Sequence, residues 1–412
     1  MDESPMNNLP QETLHQIFSS LTLREIVACR SVCRSFRQTL TSPSFISLLL
    51  SSKPPLSLIA LRPPPHLHHH RHHHSLLLPP PPQPSFPAFD PSGRRWLRFD
   101  LSFLPFRSLH PVASAAGLVY LWASDPFPDL TASPPSNSNK SLLACNPLTR
   151  QFKVLPQLGS AWSRHGAVLV DYDNRVMVLM EPAALYLPDI AADSWVTFAS
   201  NLPAKPRSPV LISSSVFALC DVGSPWRSQW KLFTCTLNLN NSVPVHEQLG
   251  VCSGSGVFSS CSSNHNNWVC LEKHEWADIF DLIKRPRLVR GDGNKLLMIG
   301  GLKSTFSLNP SCSTMLILRL DLEKLEWEEA GRMPLEMYRC FLESSKLKVF
   351  GGGDRVCFSA KRLGKIALWD DSGSGKEGEG EGAAWRWIDE VPGGGDGISR
   401  GFTYDARLTA LP

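Results

Sequence analysis

Four residues with metal-binding side chains fall close together at Cys261, His265, Cys270 and His274, a C-x3-H-x4-C-x3-H arrangement. Thiolate and imidazole are the ligands that a tetrahedral zinc site takes. The spacing between the two halves differs from that of paired-ligand fingers, and Trp268-Val269 between them reads as strand, so the four are predicted to be ordinary strand and loop residues. A second concentration is His66, His68, His69, His70, His72, His73 and His74, within a stretch from Pro54 to Pro87 that also holds 11 of the 35 prolines. Imidazoles at that density can bind divalent metal and titrate near neutral pH, but the prolines disfavour helix and internal sheet and leave no fixed geometry for an ion. This segment is predicted to be a solvated spacer. Gly375-Lys376 invites comparison with a phosphate-binding loop, yet Glu377 stands where Ser or Thr is required, the upstream glycine is missing and the neighbouring carboxylates repel phosphate. The sequence contains no Ser/His/Asp elbow or dinucleotide loop in credible context, and His274-Glu275 lacks the second His of a metalloprotease helix. No catalytic residue, metal site or cofactor is expected.

The elements that must carry these residues divide the 412-residue chain in two. Between Leu9 and Phe45 the apolar side chains follow a helical period. Leu14, Ile17, Phe18 and Leu21 fall at i, i+3, i+4 and i+7, one stripe of an amphipathic helix, and Pro10 sits where a first-turn proline needs no backbone donor. Thr22 and Glu25 have the spacing of a capping box, which predicts a second helix carrying Leu23, Ile26 and Val27. A third stripe, Val32, Cys33, Phe36 and Leu40, is predicted to stop near Ser42-Pro43. Three short helices bury little surface alone, since each buried Leu, Ile or Phe contributes only roughly 1.5–3 kcal/mol before chain entropy is subtracted. Such a unit gains by docking onto something.

These residues resemble a known family. Leu9-Pro10-x3-Leu14-x2-Ile17-Phe18-x2-Leu21, then Arg30-Ser31-Val32-Cys33-Arg34-Ser35-Phe36-Arg37 and Ser42-Pro43-Ser44-Phe45, is similar to an F-box over nearly the whole motif. The resemblance implies a trihelical module that binds a Skp-type adaptor and, through it, the cullin and RING subunits of a ubiquitin ligase. Carried over by position, Leu9, Pro10, Leu14, Ile17 and Phe18 would lie at or near the adaptor contact, with Val32, Cys33 and Phe36 contributing. Phe36 stands where the family commonly has Trp, which keeps an aromatic anchor and loses an indole donor.

Beyond Phe86 the texture changes to short apolar runs bounded by turn residues, as in Gly117-Leu-Val-Tyr-Leu-Trp122 and Arg175-Val-Met-Val-Leu-Met180, which predicts an all-β region. An aromatic residue followed by a proline turn recurs at Trp96, Phe152, Trp195, Trp276, Trp327 and Trp387, and absorbs part of a Trp count of 12. Gly300-Gly301 after one strand and Gly351-Gly352 after another, 51 residues later, resemble kelch repeats and so imply a β-propeller. Asn146-Pro147 through Leu155-Pro156 resembles a segment that recurs in plant F-box propellers, and is predicted to be structural.

Composition limits the function classes. Charged residues are only 19% against 42% hydrophobic, which excludes a coiled coil and full disorder. Lys plus Arg (41) exceeds Asp plus Glu (37) by four, too little to imply nucleic-acid or membrane attraction, and no apolar run approaches the length of a membrane span. The start is acidic and unlike a secretory signal, so the 11 Cys read as reduced thiols of an intracellular protein, in nucleus or cytoplasm. The resemblances imply a small all-α F-box (three helices) at 1–50, a Pro/His-rich linker at 51–85 and an all-β kelch-type propeller of six or seven blades at 86–412. They imply a non-catalytic substrate-recognition subunit of an SCF-type ubiquitin ligase, whose propeller recruits a target protein for ubiquitination and proteasomal degradation. A non-degradative scaffold or transcriptional cofactor is the alternative, and a metal-dependent propeller using the Cys/His cluster is a third reading. Trp162 with Arg164, Trp226 with Arg227 and Tyr338 with Arg339 pair aromatic and guanidinium groups in loops, the types enriched where interfaces concentrate their energy, and are the candidate target contacts.

Overall fold

Each N-terminal helix begins at a residue that can close its first turn. In the computed structural model, which describes residues 9–52, 54–63, 83–126, 140–188, 194–237, 259–260, 268–303, 312–344, 346–372, 384–393 and 397–412, Pro10 precedes helix α1 (Gln11–Ser20). Helix α2 (Leu23–Cys29) carries the expected capping box: Thr22 N–H donates to Glu25 Oε2 at 2.7 Å, and Glu25 N–H donates back to Thr22 Oγ1 at 3.4 Å. Helix α3 (Arg34–Thr41) is capped by Cys33, whose Sγ accepts from Phe36 N–H at 3.4 Å. Helix α3 stops at Ser42-Pro43, as its sequence predicts, but the module has four helices rather than the three expected. Ser42 Oγ accepts from Phe45 N–H, and Pro43 opens a fourth helix, α4 (Pro43–Ser52), because proline at a first helical position sacrifices no hydrogen bond. Leu14, Phe18, Ile26, Leu40, Phe45 and Leu49 form the buried core of this module. Phe36 and Phe45 meet the Phe18 ring edge-on, at centroid separations of 5.0 and 6.3 Å.

The rest of the described chain forms six sheets arranged as the blades of a propeller. From the inside outward, blade 2 is Phe106–Ala115, Leu118–Pro126, Ser141–Asn146 and Gln151–Val154. Blade 3 is Ala167–Val170, Val176–Leu179, Ala183–Tyr186 and Trp195–Phe198, with Ser259–Ser260 added parallel to its outermost strand. Blade 4 is Arg207–Ile212, Ser215–Asp221, Trp230–Thr236 and Val269–Leu271. Blade 5 is Ile283–Arg290, Lys295–Lys303, Cys312–Asp321 and Glu326–Arg332, and blade 6 is Leu347–Gly352, Arg355–Ala360, Ile366–Asp370 and Ala384–Ile388. Blade 1 joins distant parts of the chain: Gly401–Ala406 is its innermost strand, followed by Leu56–Leu61, Ser85–Asp90 and Arg95–Asp100. The six inner strands contact one another in a closed ring, and six apolar clusters fill the gaps between successive blades.

The structure departs from the sequence-based expectation at two places. Part of the stretch read as linker is a blade strand: Leu56–Leu61 pairs with Gly401–Ala406 from Leu56 opposite Ala406 to Leu61 opposite Gly401, because its apolar residues Leu58, Ile59, Ala60 and Leu61 are buried between blades. The Pro/His-rich residues 64–82, including His66 to His74, lie outside the described residues. The two double glycines are also not equivalent. Gly300-Gly301 is in the second strand of blade 5, where a Cβ on Gly300 would lie 2.2 Å from Ile283, whereas Gly351-Gly352 is in the innermost strand of blade 6. Their 51-residue spacing is therefore not the blade register. The aromatic recurrence is the better ruler, since Trp96, Phe152, Trp195, Trp327 and Trp387 each lie on the outermost strand of a different blade. Trp276 opens the helix that follows the outermost strand of blade 4. Two of these indoles tie a blade to the connection entering it: Trp195 Nε1–H donates to Pro156 O at 2.7 Å, and Trp96 Nε1–H to Asp389 O at 3.1 Å.

The F-box helices are seated on the ring. Leu408, just past the inner strand of blade 1, is buried in the helical core, and Leu148 from the outer turn of blade 2 packs beside it. Arg30 Nη1–H donates to Leu148 O at 3.0 Å, and Arg24 pairs with the buried carboxylate of Asp90. Asn146, fully buried, donates to Arg407 O and Ala410 O at 2.9 Å each, holding the segment that carries Leu408.

Candidate functional site

The F-box core closes without several of its apolar residues. Leu14 and Phe18 are interior, while Ile17 is 38% exposed, Val32 is 68% exposed, and Pro10 and Cys33 also face solvent. Leu9 and Phe36 are half-buried against the core. Val32 and Cys33 occupy the turn between α2 and α3, where Cys33 must stay extended to cap α3, so Val32 beside it is turned outward. The eight residues expected at the adaptor contact thus divide into Leu14 and Phe18, which are packed inside, and a solvent-facing group led by Pro10, Ile17, Val32 and Cys33. Exposed Ile and Val on so small a unit are hydrophobic surface that folding leaves unused.

Strand direction sorts the propeller loops onto two faces. Asp90, Leu148 and Leu408, which meet the helices, all lie at strand ends on one face. The opposite face collects the connections from each outermost strand to the next innermost strand, and those between second and third strands. Helix α5 (Ser160–His165), helix α6 (Trp276–Leu282), helix α7 (Leu335–Leu342) and the loop from Val222 to Gln229 all belong to that opposite face. Trp162, Arg164, Trp226, Arg227, Tyr338 and Arg339 are consequently on one face, away from the F-box. Their presentation differs. Trp226 is 93% exposed, and Arg227 beside it lies 3.6 Å from Asp281 of α6. Trp162 is half-buried with Nε1–H bonded to Pro182 O at 3.1 Å, and Arg164 is exposed. Tyr338 is buried with its OH donating to Cys312 O at 3.1 Å, so α7 presents Arg339 rather than the ring. A cavity of about 600 Å³ is lined by Arg227, Trp230, Lys231, Glu272, Trp276 and Phe280.

A basic cluster gathers on the same face. Arg62 and Arg400 in blade 1, Arg207 in blade 4, Arg285 and Arg287 in blade 5 and Lys348 in blade 6 all lie where the inner strands meet the face opposite the F-box. Arg62 N–H bonds Arg400 O at 2.8 Å, and the Arg62 guanidinium reaches Val112 O of blade 2. Burial and then Arg400 push Arg62 down to about 10. Burial also lowers Lys348, with Arg400, Arg287 and Arg207 adding to the effect, and it lowers Arg287, with Arg207 and Arg285 adding. The signal was available as Lys205-Pro206-Arg207-Ser208-Pro209 and Lys284-Arg285-Pro286-Arg287, two basic, proline-containing starts to inner strands.

The candidate metal ligands do not converge in what is described. Cys261 and His265 lie outside the described residues, Cys270 is on the outermost strand of blade 4, and burial pushes its thiol up to about 11. Among the described residues, no group of three or more His, Cys, Asp or Glu side chains could hold an ion. No helix among them is long and apolar enough to cross a membrane.

Comparison with known proteins defines the class. Residues 6–46 match the F-box-like family and residues 288–334, spanning most of blade 5, match the Kelch motif. SKP1-interacting partner 15 of Arabidopsis thaliana is 61% identical over 414 residues, covering 100% of both chains. Protein UNUSUAL FLORAL ORGANS of Arabidopsis thaliana is 24% identical over 432 residues, covering 99% of this chain and 87% of its own length. Among solved structures, apo AztD from Citrobacter koseri aligns over 84% of this chain and 97% of its own at 8% identity, with a TM-score of 0.32. The chain belongs to the F-box/kelch family, the substrate-recognition subunits of SCF-type ubiquitin ligases.

Proposed function

We propose that Pro10, Ile17, Val32 and Cys33 form the contact with a Skp-type adaptor, with Leu9, Leu14, Phe18 and Phe36 shaping it from below, and that the propeller face opposite the F-box holds the target. The observation that carries this is the unused apolar surface of the F-box, on helices whose own core is already closed. The name of SKP1-interacting partner 15 points the same way. Through the adaptor the chain would join cullin and RING subunits inside the cell, in nucleus or cytoplasm, without a membrane, nucleic-acid or cofactor requirement. Its contribution is proximity: the target is held near a conjugating enzyme that performs the transfer, so no residue of this chain acts as nucleophile. Trp226 and Arg227 are the leading target contacts, with Trp162, Arg164 and Arg339 around them and Tyr338 supporting α7.

Co-purification with a Skp-type adaptor should be lost when Pro10, Ile17 and Val32 are together changed to Ala; retention of the adaptor by that variant overturns the contact. Targets captured through the propeller should accumulate when the proteasome is blocked, and partners of unchanged abundance would favour a non-degradative scaffold.

A further inference from the structure

The basic residues around the inner-strand ends are held close by the backbone itself. Strand pairing slips between Arg207 and Val210 in blade 4 and between Lys284 and Arg287 in blade 5, and Ser208 and Arg285 in those bulges have φ of 46° and 53°. Bulges re-aim side chains, and non-glycine residues at positive φ are strain that the surrounding fold must support. Arg62 Nε–H and Arg207 Nη1–H are buried without an acceptor among the described residues. The Arg207 guanidinium lies over the Trp230 ring, 4.8 Å from its centroid. The carboxylate nearest in effect, Asp221, is already engaged by Gly223 N–H at 3.2 Å and Gln229 N–H at 2.9 Å. Like charges gathered this way cost energy that a bound anion offsets, and guanidinium groups match carboxylate and phosphate geometry.

We propose that Arg62, Arg207, Arg285, Arg287, Lys348 and Arg400 form a recognition site for an anionic segment of the target protein, a short run of carboxylate or phosphorylated side chains. The proposal rests on the reading of this face as the target-binding face, and names the chemistry that the face selects. The central channel, which Arg62 lines together with Arg290 and Asp405, has a volume of about 270 Å³, room for side chains of an extended segment rather than a helix. Glu272, Glu275, Asp278 and Asp281 stand further out, between blades 4 and 5. They would repel a nucleic acid laid across the face, whereas a short segment seated at the channel avoids them.

The test uses the full chain co-purified with its adaptor and fluorescently labelled 12-residue peptides: one rich in Asp and Glu, one carrying phosphoserines, and one in which these are replaced by Asn and Ser. Binding of either anionic peptide and not the neutral one is expected, the stronger of the two identifying the anion. Affinity should fall by roughly 100-fold in Arg207→Gln/Lys348→Gln, at about ten-fold per lost charge-assisted hydrogen bond, and stay unchanged in Lys295→Gln on the F-box side. The Arg207→Glu/Lys348→Glu pair should abolish binding, and circular dichroism checks that both pairs fold. Failure of both anionic peptides to bind, equal binding of the neutral one, or tighter binding of a duplex DNA of equal charge through the same residues overturns the proposal. Capture of targets from proteasome-blocked cells, run in parallel, separates the two readings: intact capture with ring variants leaves the receptor function standing and the anionic site refuted, and absent capture by wild type refutes the receptor reading itself.

Discussion

The helical module and the propeller spend their apolar residues in opposite ways. In the F-box, residues that the four-helix core does not need, Pro10, Ile17 and Val32, remain at the surface beside a core closed by Leu14, Phe18 and Ile26. In the propeller, the tryptophans of the outer strands pack into the clefts between blades, and the face away from the F-box carries a basic cluster and, among the described residues, one fully presented indole, Trp226. The first region is built to be covered by a constant partner, which needs a broad apolar surface. The second is built as a rigid frame whose variable loops carry selectivity, which charge and hydrogen-bond geometry supply better than area does.

The largest expected effect tests whether the F-box is a unit with its own core. Phe18→Ala removes a side chain touched by both Phe36 and Phe45 and should cost about 3–5 kcal/mol, unfolding the helices while blade melting stays in place; a single unchanged transition by calorimetry would contradict it. Coupling between the two regions comes next. Arg24→Ala leaves the Asp90 carboxylate buried without its cation, costing about 1–3 kcal/mol, and hydrogen exchange should quicken in α2 and in the Pro91–Arg94 turn together; exchange confined to one of them would mean that the regions are not joined there. Trp195→Phe deletes the donor to Pro156 O and should cost about 1–2 kcal/mol in chemical denaturation, with adaptor capture intact. The smallest stability changes, within about 0.5 kcal/mol, belong to Val32→Ala and Trp226→Ala, and these sharpen the contrast most: the first should weaken adaptor capture alone and the second target capture alone. A loss above about 1 kcal/mol in Val32→Ala would move that residue into the F-box core and erase the distinction.

Legibility in sequence follows the same division. The F-box could be read because its motif mixes core positions, Leu14 and Phe18, with surface positions such as Pro10 and Val32 that helix packing alone would leave free to vary. The blade count could be read only as six or seven, although five of the six recurring aromatics lie one to an outermost strand and Trp276 lies just past the sixth such strand. Period could not: the inner strands begin at residues 106, 167, 207, 283, 347 and 401, separated by 40 to 76 residues, because loops lengthen at almost no thermodynamic cost. This is why two double glycines 51 residues apart fell at different strands. Strand Leu56–Leu61 was hidden because its partner, Gly401–Ala406, lies some 340 residues away and no local pattern announces such a pairing. The basic ring was hidden for a related reason, since its members come from four blades and converge only when the sheets close.

Blade 1 has a consequence for the order of events during synthesis. At roughly 5–20 residues per second, the F-box helices leave the ribosome on the order of a minute or less before Gly401–Ala406 is made. Until then the ring lacks one of its six inner strands, and the helices lack Leu408 at their base. A chain halted short of Gly401 therefore has neither a closed frame for a target nor a fully sealed F-box, and the same ten residues complete both. Closure of the ring and sealing of the F-box base therefore both wait on residues 401–410.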